Sequence, residues 1–430
     1  MNKKLLVRMY NVGFGDCFLL VLPDKQTVLV DAGFHSQGRG EFRGDELVEQ
    51  ILEHVKEIND KARIDVVIAT HRHQDHVYAF NSDKWNEFDV GEVWLPWLED
   101  RSNEKATRLW KKQHSFAMSL AAATAKQFAV NSEIRQSVDF MMWNAGIDIP
   151  GFDLPGFEAA GWSNARALDC LHDGFAHRDR TRPRFLPETE TFPESFETPV
   201  LPGVRIHVLG PARDPELIEE LDPEADGETY RALALMAAGG VTADGFTAQA
   251  APFAEPWQVP GNEQPEFFPL EGNDEERINY LARTADVEFA AEKVDGMINS
   301  TSLVLVLEIG EARLLLPGDA EWGTWKRILG DEDARSLLRG ATFFKVGHHG
   351  SHNATSKTLV EKTLRSGIPA MISTQEGKGN FRNNIPLSRL LTALTDRGIH
   401  YVRSDQENLQ LPQGFTKGEG VKWIDLELPC

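Results

Sequence analysis

The sequence is poor in cysteine, has no long apolar run and is short of basic residues, and each shortage excludes something. The three cysteines in 430 residues, Cys17, Cys170 and Cys430, stand far apart. They offer neither a disulfide framework nor the paired spacing of a zinc ribbon, and they suit a reducing compartment. No stretch approaches the roughly 18 uninterrupted apolar residues of a membrane span. The opening residues carry lysines but no apolar run of signal-peptide length. A cytoplasmic protein without a membrane segment is therefore expected. Lys and Arg total 45 against 66 for Asp and Glu, a net charge of −21, and such a field repels a duplex phosphate backbone. A small anionic substrate, or single-stranded nucleic acid, held through a metal is still allowed. At 41% apolar and 26% charged the chain can build a sizeable core.

What is present is an alternation of strand and helix signals. Residues 5–10, 18–22 and 27–30 read as strands, the first two separated by the glycine-punctuated turn Asn11-Val12-Gly13-Phe14-Gly15-Asp16. Leu47, Ile51, Val55 and Ile58 mark an amphipathic helix over 44–58, and 64–70 reads as a buried strand. Val90–Trp97 is a further strand, and strands resume at 204–209, 302–309, 312–316 and 341–346. Gly310-Glu311 is a hairpin turn. A strand-helix-strand unit covers 370–373, 386–397 and 400–403. This order predicts an α/β layered fold. Residues 103–145 lack proline and glycine and read as a helical hairpin. Residues 212–295 are acidic and irregular. The chain is expected to be a single domain, 1–430, with its core at about 1–98, 203–211 and 299–411. Into it are set a largely helical insertion, 99–202, and an irregular acidic one, 212–298.

The chemistry concentrates where strands end. His71-Arg72-His73-Gln74-Asp75-His76 leaves the strand at 64–70, and His71 and His73, two apart, project to one face of an extended backbone. Asp75 and His76 then curl toward a second position. Arg72 and Gln74 are expected to point away. Leu316-Pro317-Gly318-Asp319 displays a carboxylate just past another strand, and Lys345-Val346-Gly347-His348-His349-Gly350-Ser351 runs a third strand into histidines. Together they describe a histidine and carboxylate metal site without sulfur, which suits zinc, manganese or iron. Trp94, Trp97 and Trp110 fit core packing better than a pocket. The cluster Arg178–Arg184 is the one basic run suited to phosphate contact.

With Asp319 and His348 or His349, the motif His71–His76 resembles the metallo-β-lactamase-fold hydrolases. The closer similarity is to the metallo-β-lactamase-like domain of ComEC-type DNA-uptake competence proteins. That group's opening pattern corresponds to Asn11–Asp16 and Asp31-Ala32-Gly33, and its later patterns to Asn299–Ser302, Gly318-Asp319 and Lys345–Ser351. Asn11 replaces the usual aspartate, and the two insertions have no counterpart. Nor does the chain carry that group's membrane channel.

The resemblance implies a four-layer αββα metallo-β-lactamase sandwich and a two-metal hydrolase, with zinc favoured over manganese or iron. It assigns His71, His73 and Asp319 to one ion, and Asp75, His76, Asp319 and His348 or His349 to the other. His348 is preferred because it directly follows the strand-ending Gly347. Asp75 and Asp319 are the catalytic carboxylates, activating metal-bound hydroxide. Asp16, Asp31 and Asn299 would brace the ligands, and His352 or the remaining paired histidine could pass a proton. A histidine from the middle of the chain is usual in the superfamily, yet Val208-Leu209-Gly210-Pro211 offers none. His207 is the nearest candidate, with His114, His172 and His177 weaker. A phosphodiesterase or nuclease-type activity is expected. Carbonyl ester, lactone or amide hydrolysis is the alternative within catalysis, and a non-catalytic regulatory module the alternative outside it. The insertions would carry specificity, or a homodimer or partner contact.

Overall fold

The computed structural model describes residues 4–125, 164–221, 228–229 and 294–430, apart from 36, 37, 39, 43, 176, 179–181, 352, 353, 377–384 and 407–410. Two mixed sheets form the body of this mixed α/β protein. In chain order the first sheet's strands are β1 (Lys4–Tyr10), β2 (Cys17–Val21), β3 (Thr27–Ala32), β4 (Arg63–Ile68) and β5 (Asp89–Pro96). The second holds β9 (Val204–Gly210), β10 (Val304–Ile309), β11 (Ala312–Leu316), β12 (Phe343–Lys345), β13 (Pro369–Ile372) and β14 (His400–Arg403). β3, β4 and β5 run parallel, as do β11 to β14.

The strand periodicity explains how the sheets face each other. In β1 the side chains of Leu5, Val7 and Met9 are buried while Lys4 is exposed and Leu6 and Arg8 are half-buried, a period of two. These three join Phe18, Leu20, Val28, Val66 and Ile68 against Ile206, Leu305, Leu307, Leu314, Phe343 and Met371 of the second sheet. That apolar interface is the central core. On the far face of the first sheet, Leu47, Ile51 and Val55 of α1 (Glu46–Asn59) pack with Leu19, Leu29, Ile64 and Val67. Glu46 and Glu49 lie in its first turn and Lys56 in its last, which complements the helix dipole. The far face of the second sheet is covered by the helices Trp322–Gly330, Glu332–Arg339 and Ser388–Asp396. Helices therefore lie outside both sheets, consistent with the expected sandwich.

Two features depart from the sequence limits. The hairpin β15 (Phe415–Lys417) and β16 (Trp423–Pro429) follows residue 411, and β16 pairs along the whole of β1. Its Ile424, Leu426 and Leu428 enter the central core, and Arg8 grips Asp425 through two bonds of 2.7 Å. Residues of the stretch 99–202 also enter the sheets: β6 (His177–Arg178) and β7 (Arg184–Leu186) pair with β5, and β8 (Glu194–Phe196) with β9. Of the helical hairpin expected at 103–145, the helix Glu104–Ala125 is seen and the remainder lies outside the described residues. The hairpin turn expected between β10 and β11 is present, with Gly310 at φ +59°. Among the described residues, no helix is long and apolar enough to cross a membrane.

Candidate metal centre

The site residues leave the C-terminal ends of parallel strands in both sheets, where the strands stop pairing and the chain must turn. β3 delivers Asp31, β4 delivers Thr70 to His76, β11 delivers Asp319, β12 delivers His348 and His349, and β13 delivers Ser373. A backbone bond joins the two edges: Leu303 N donates to Thr70 O at 2.9 Å. The close approach needs glycine. A Cβ on Gly33 would stand 2.3 Å from Asp75 C and His76 N. Among the described residues, six non-glycine residues have positive φ, and three of them (Asp31 at 58°, His348 at 48°, His349 at 53°) belong to this site. Such backbone strain persists only where the surroundings enforce it.

Three histidines share one orientation. His76 donates from Nδ1 to Asp31 Oδ2 at 2.9 Å, and its Nε2 stands 3.1 Å from Asp319 Oδ2. His349 donates from Nδ1 to Ser373 O at 2.8 Å, and its Nε2 stands 2.8 Å from Asp75 Oδ2. His71 Nδ1 lies 3.2 Å from Thr70 Oγ1, while its buried Nε2 has no hydrogen-bond partner among the described residues. A ring fixed through Nδ1 presents Nε2 as the ligand atom, the arrangement seen around metal-bound histidine. Asp31 fixes the turn as well, accepting from Thr70 N at 2.7 Å and Thr70 Oγ1 at 2.8 Å. Asp16 is paired with Lys345, whose Nζ lies 3.9 Å from Asp319 Oδ1. Asn299 donates to Glu321 at 3.3 Å.

The donor set fits a cation. Four buried carboxylates, Asp16, Asp31, Asp75 and Asp319, face one buried ammonium, that of Lys345. Protons on histidine supply the missing positive charge. Burial alone would lower His76, but Asp319, Asp31 and Asp16 hold it well above its ordinary value, and Asp75 raises His349 against the same penalty. Asp75 and Asp319 are raised by burial and lowered further by His76, and both end well below the usual carboxylate range. Burial instead pushes His73 down to about 4, and it also lowers His71 and His348, so all three keep free lone pairs at neutral pH. Ligand atoms of His71, His76 and Asp319 lie within 4.8 Å of one another, as do those of Asp75, His76 and His349 and those of Asp16, Asp31 and His76.

A proton-release test follows from these directions. A cation at Nε2 of His76 and His349 must displace the protons that the carboxylates hold there. Metal uptake is expected to release protons, and affinity to rise between roughly pH 6 and pH 8. Titration calorimetry in buffers of different ionisation enthalpy measures this. Affinity that is flat across the range would contradict it.

All seven residues singled out in the sequence are present in this buried region, with distinct surroundings. His349, not His348, shares a ligand group with Asp75 and His76. His348 instead donates its backbone N to Asp319 Oδ1 at 3.0 Å, and its buried Nδ1 has no hydrogen-bond partner among the described residues. Of the other histidines, His207 contacts Ser195 at 2.7 Å and Glu308 at 3.2 Å. His114 stacks on Trp110, and His172 packs on Phe185. The side chain of His177 and the whole of His352 lie outside the described residues. Arg72 and Gln74 point inward, both buried, with Arg72 Nε 2.9 Å from Glu99 Oε1. Trp94 and Trp97 are core, as expected. Arg182 and Arg184 line an open cleft with Arg213, but Arg184 is already held by Glu188 at 2.9 and 3.1 Å. Not foreseen were the Lys345–Asp16 pair, the Ser373 carbonyl and Asp295, whose Oδ1 lies 3.3 Å from His73 Nε2.

Fold and site define a mixed α/β protein with buried His/Asp groups able to hold metal. Residues 10–81 match the family model described as Metallo-beta-lactamase superfamily. The match spans Asp16, Asp31 and His71–His76, and the fold adds Asp319, His348 and His349 to them. No curated protein matches the chain.

Proposed function

We propose that the protein is a metal-dependent hydrolase of this superfamily, cleaving phosphodiester bonds in a nucleotide or in single-stranded nucleic acid. The observation that carries it is the pair of overlapping ligand groups, His71–His76–Asp319 and Asp75–His76–His349. The two groups meet at His76. His71 and Asp319, with the His73 ring packed against His71, would hold one ion, and Asp75, His76 and His349 the other. Zinc is the first choice for these donors, with manganese or iron as alternatives. When bound, the ions supply Lewis acidity that activates water and stabilises charge on both oxygens of an in-line phosphoryl displacement.

The chain's own residues do the rest. Asp31 and Ser373 hold the rings of His76 and His349 by their Nδ1 protons, so that each keeps one orientation through a turnover. Asp75 orients the attacking water through its carboxylate. His348, neutral and fixed by its backbone bond to Asp319, is placed to take up and return a proton at Nδ1. Lys345 sets the local charge by occupying Asp16 and standing near Asp319. Residues 1–430 then form one domain whose insertions, 99–202 and 212–298, carry substrate recognition. A net charge of −21 favours a small or single-stranded substrate over duplex DNA.

The test is hydrolysis of bis(p-nitrophenyl) phosphate by metal-supplemented protein, with Asp75→Ala as control and p-nitrophenyl acetate as competing substrate. Phosphodiester turnover that vanishes in the variant supports the proposal. Turnover on the carboxylic ester alone moves the function to carbonyl substrates. Metal-loaded, folded protein inert on both points to a binding module.

A further inference from the structure

Arg182, Arg184 and Arg213 meet in one open cleft of about 630 Å³, on a chain whose net charge is −21. We propose that Arg182 and Arg213 bind a phosphate of the substrate other than the one that is cleaved, an inference that rests on the phosphodiester reading under Proposed function.

Strand directions put the cleft on the same rim as the metal centre. β7 runs parallel to β5 with Arg184 beside Trp94, and β5 runs parallel to β4 with Trp94 beside Ile68, three residues before His71. Two strand spacings, about 9–10 Å, therefore separate Arg184 from the strand that delivers the histidines. Arg213 comes from the other sheet. It follows Gly210, which ends β9 opposite Val304, and the neighbouring Leu303 N donates to Thr70 O. The turn Trp97–Glu99 links the two places: Trp97 lines the cleft, and Glu99 faces Arg72 in the metal loop. Each insertion contributes one arginine, Arg182 from 99–202 and Arg213 from 212–298.

The charges of the cleft are not all spent. Arg184 is bound to Glu188, and its guanidinium lies over the Phe196 ring at 3.9 Å. The other two keep donors for a ligand. Among the described residues, the exposed Arg182 reaches only Ser102 Oγ, at 3.5 Å. Arg213 donates Nη1 to Pro187 O at 2.7 Å and lies over Trp97, while its buried Nε has no hydrogen-bond partner among the described residues. Its ionic neighbour Glu190, 3.4 Å away, is 70% exposed and free to turn into water. Asp100, which lines the cleft with Glu188, is held to its own loop by Ser102 N and Oγ. Positive charge therefore exceeds negative here, against the field of the whole chain. A guanidinium fork matches two phosphate oxygens at once, so a phosphate is the anion these donors suit best.

The experiment is fluorescence anisotropy of end-labelled hexathymidylate on the full chain, at low salt and in chelator so that no strand is cut. Wild type is expected to bind, and Arg182→Gln and Arg213→Gln each to weaken binding about tenfold or more, as loss of a hydrogen bond to a charged group does. The double variant should flatten the slope of log K against log salt by about 0.7, the mark of one lost phosphate contact on a single strand. Arg389→Gln, on the exposed face of the helix Ser388–Asp396, removes the same charge elsewhere and should change affinity by less than about twofold. Thymidine 5′-monophosphate as competitor separates the sources: displacement at equal phosphate concentration assigns the cleft to a small nucleotide, and no displacement assigns it to a strand backbone. Arg182→Gln, on an exposed side chain, decides the matter if Arg213→Gln fails to fold by circular dichroism. Cleft variants that bind as tightly as wild type, a loss no larger than that of Arg389→Gln, or wild type that binds no strand each overturn the proposal. Turnover of bis(p-nitrophenyl) phosphate tests the metal centre apart from the cleft. Strand binding lost in the variants, with no turnover of that diester by metal-supplemented wild type, leaves the cleft a phosphate site and overturns the functional reading.

Discussion

Asp319→Asn is expected to fold, to lose metal and to lose turnover by at least about a thousandfold, the scale at which one preorganised electrostatic group acts. Asp319 is 1% exposed, lies between His76 Nε2 and the His348 backbone N, and neighbours Lys345. Asparagine has the same size and still accepts from His348 N, so packing and the turn after β11 survive. Gly318, at φ +54° with Ser302 Cβ only 2.9 Å from where its own Cβ would lie, is untouched. What disappears is the charge that holds His76 protonated and would attract a cation. His76 should therefore titrate closer to its ordinary value, and metal content per chain should fall. Thermal melting with and without Zn²⁺ separates the effects: wild type gains stability with the ion by mass action, and the variant gains much less. A variant that keeps wild-type metal content and turnover would remove Asp319 from the site.

Much of this centre was legible because metal chemistry restricts residue type. His71–His76 could be read from spacing alone, since residues two apart on a strand share a face and the chain must turn where β4 ends. The layered α/β fold was legible too, because Leu47, Ile51 and Val55 carry the helical period and β4 ends in the apolar run Val66-Val67-Ile68. Other parts depend on contacts across sequence distance. The choice between His348 and His349 turns on which side of a left-handed kink each ring falls, and no periodicity encodes that. Asp295 sits on a short turn in an acidic stretch, indistinguishable there from its neighbours until the fold places it beside His73. The β16 strand carries a signal of its own beyond residue 411, where the resemblance ends: Ile424, Leu426 and Leu428 alternate with Asp425 and Glu427. Residues 184–196 give the converse lesson. Prolines at 183, 187 and 193 suggest an irregular loop, whereas three-residue strands directly after Pro183 and Pro193 pair with β5 and β9.

Glu99→Ala is expected to destabilise the protein by about 3–5 kcal/mol, the cost of leaving one partner of a buried ion pair alone. Arg72 separates His71 from His73. Because successive side chains on extended backbone alternate, sending the two rings to the metal side sends Arg72 into the interior. There its side chain is 1% exposed and faces Glu99, 6% exposed, at 2.9 Å. None of the three guanidinium nitrogens makes a hydrogen bond among the described residues, so the charge of Glu99 carries nearly all of the compensation. Asn164 fixes the same point from the other side, donating to Arg72 O at 2.6 Å. Removal of Glu99 would drive the guanidinium toward water and pull the His71–His73 span with it, so metal affinity should fall together with stability. Replacing both partners, Arg72→Met with Glu99→Leu, takes the charges away as a pair and should recover most of the stability. Denaturant unfolding of the two single variants and the double variant measures the coupling. Metal titration of the same proteins shows whether an apolar pair also restores the spacing of the ligand histidines. Stability of Glu99→Ala within about 0.5 kcal/mol of wild type would mean that water already solvates Arg72, and that the pair does not hold the ligand loop.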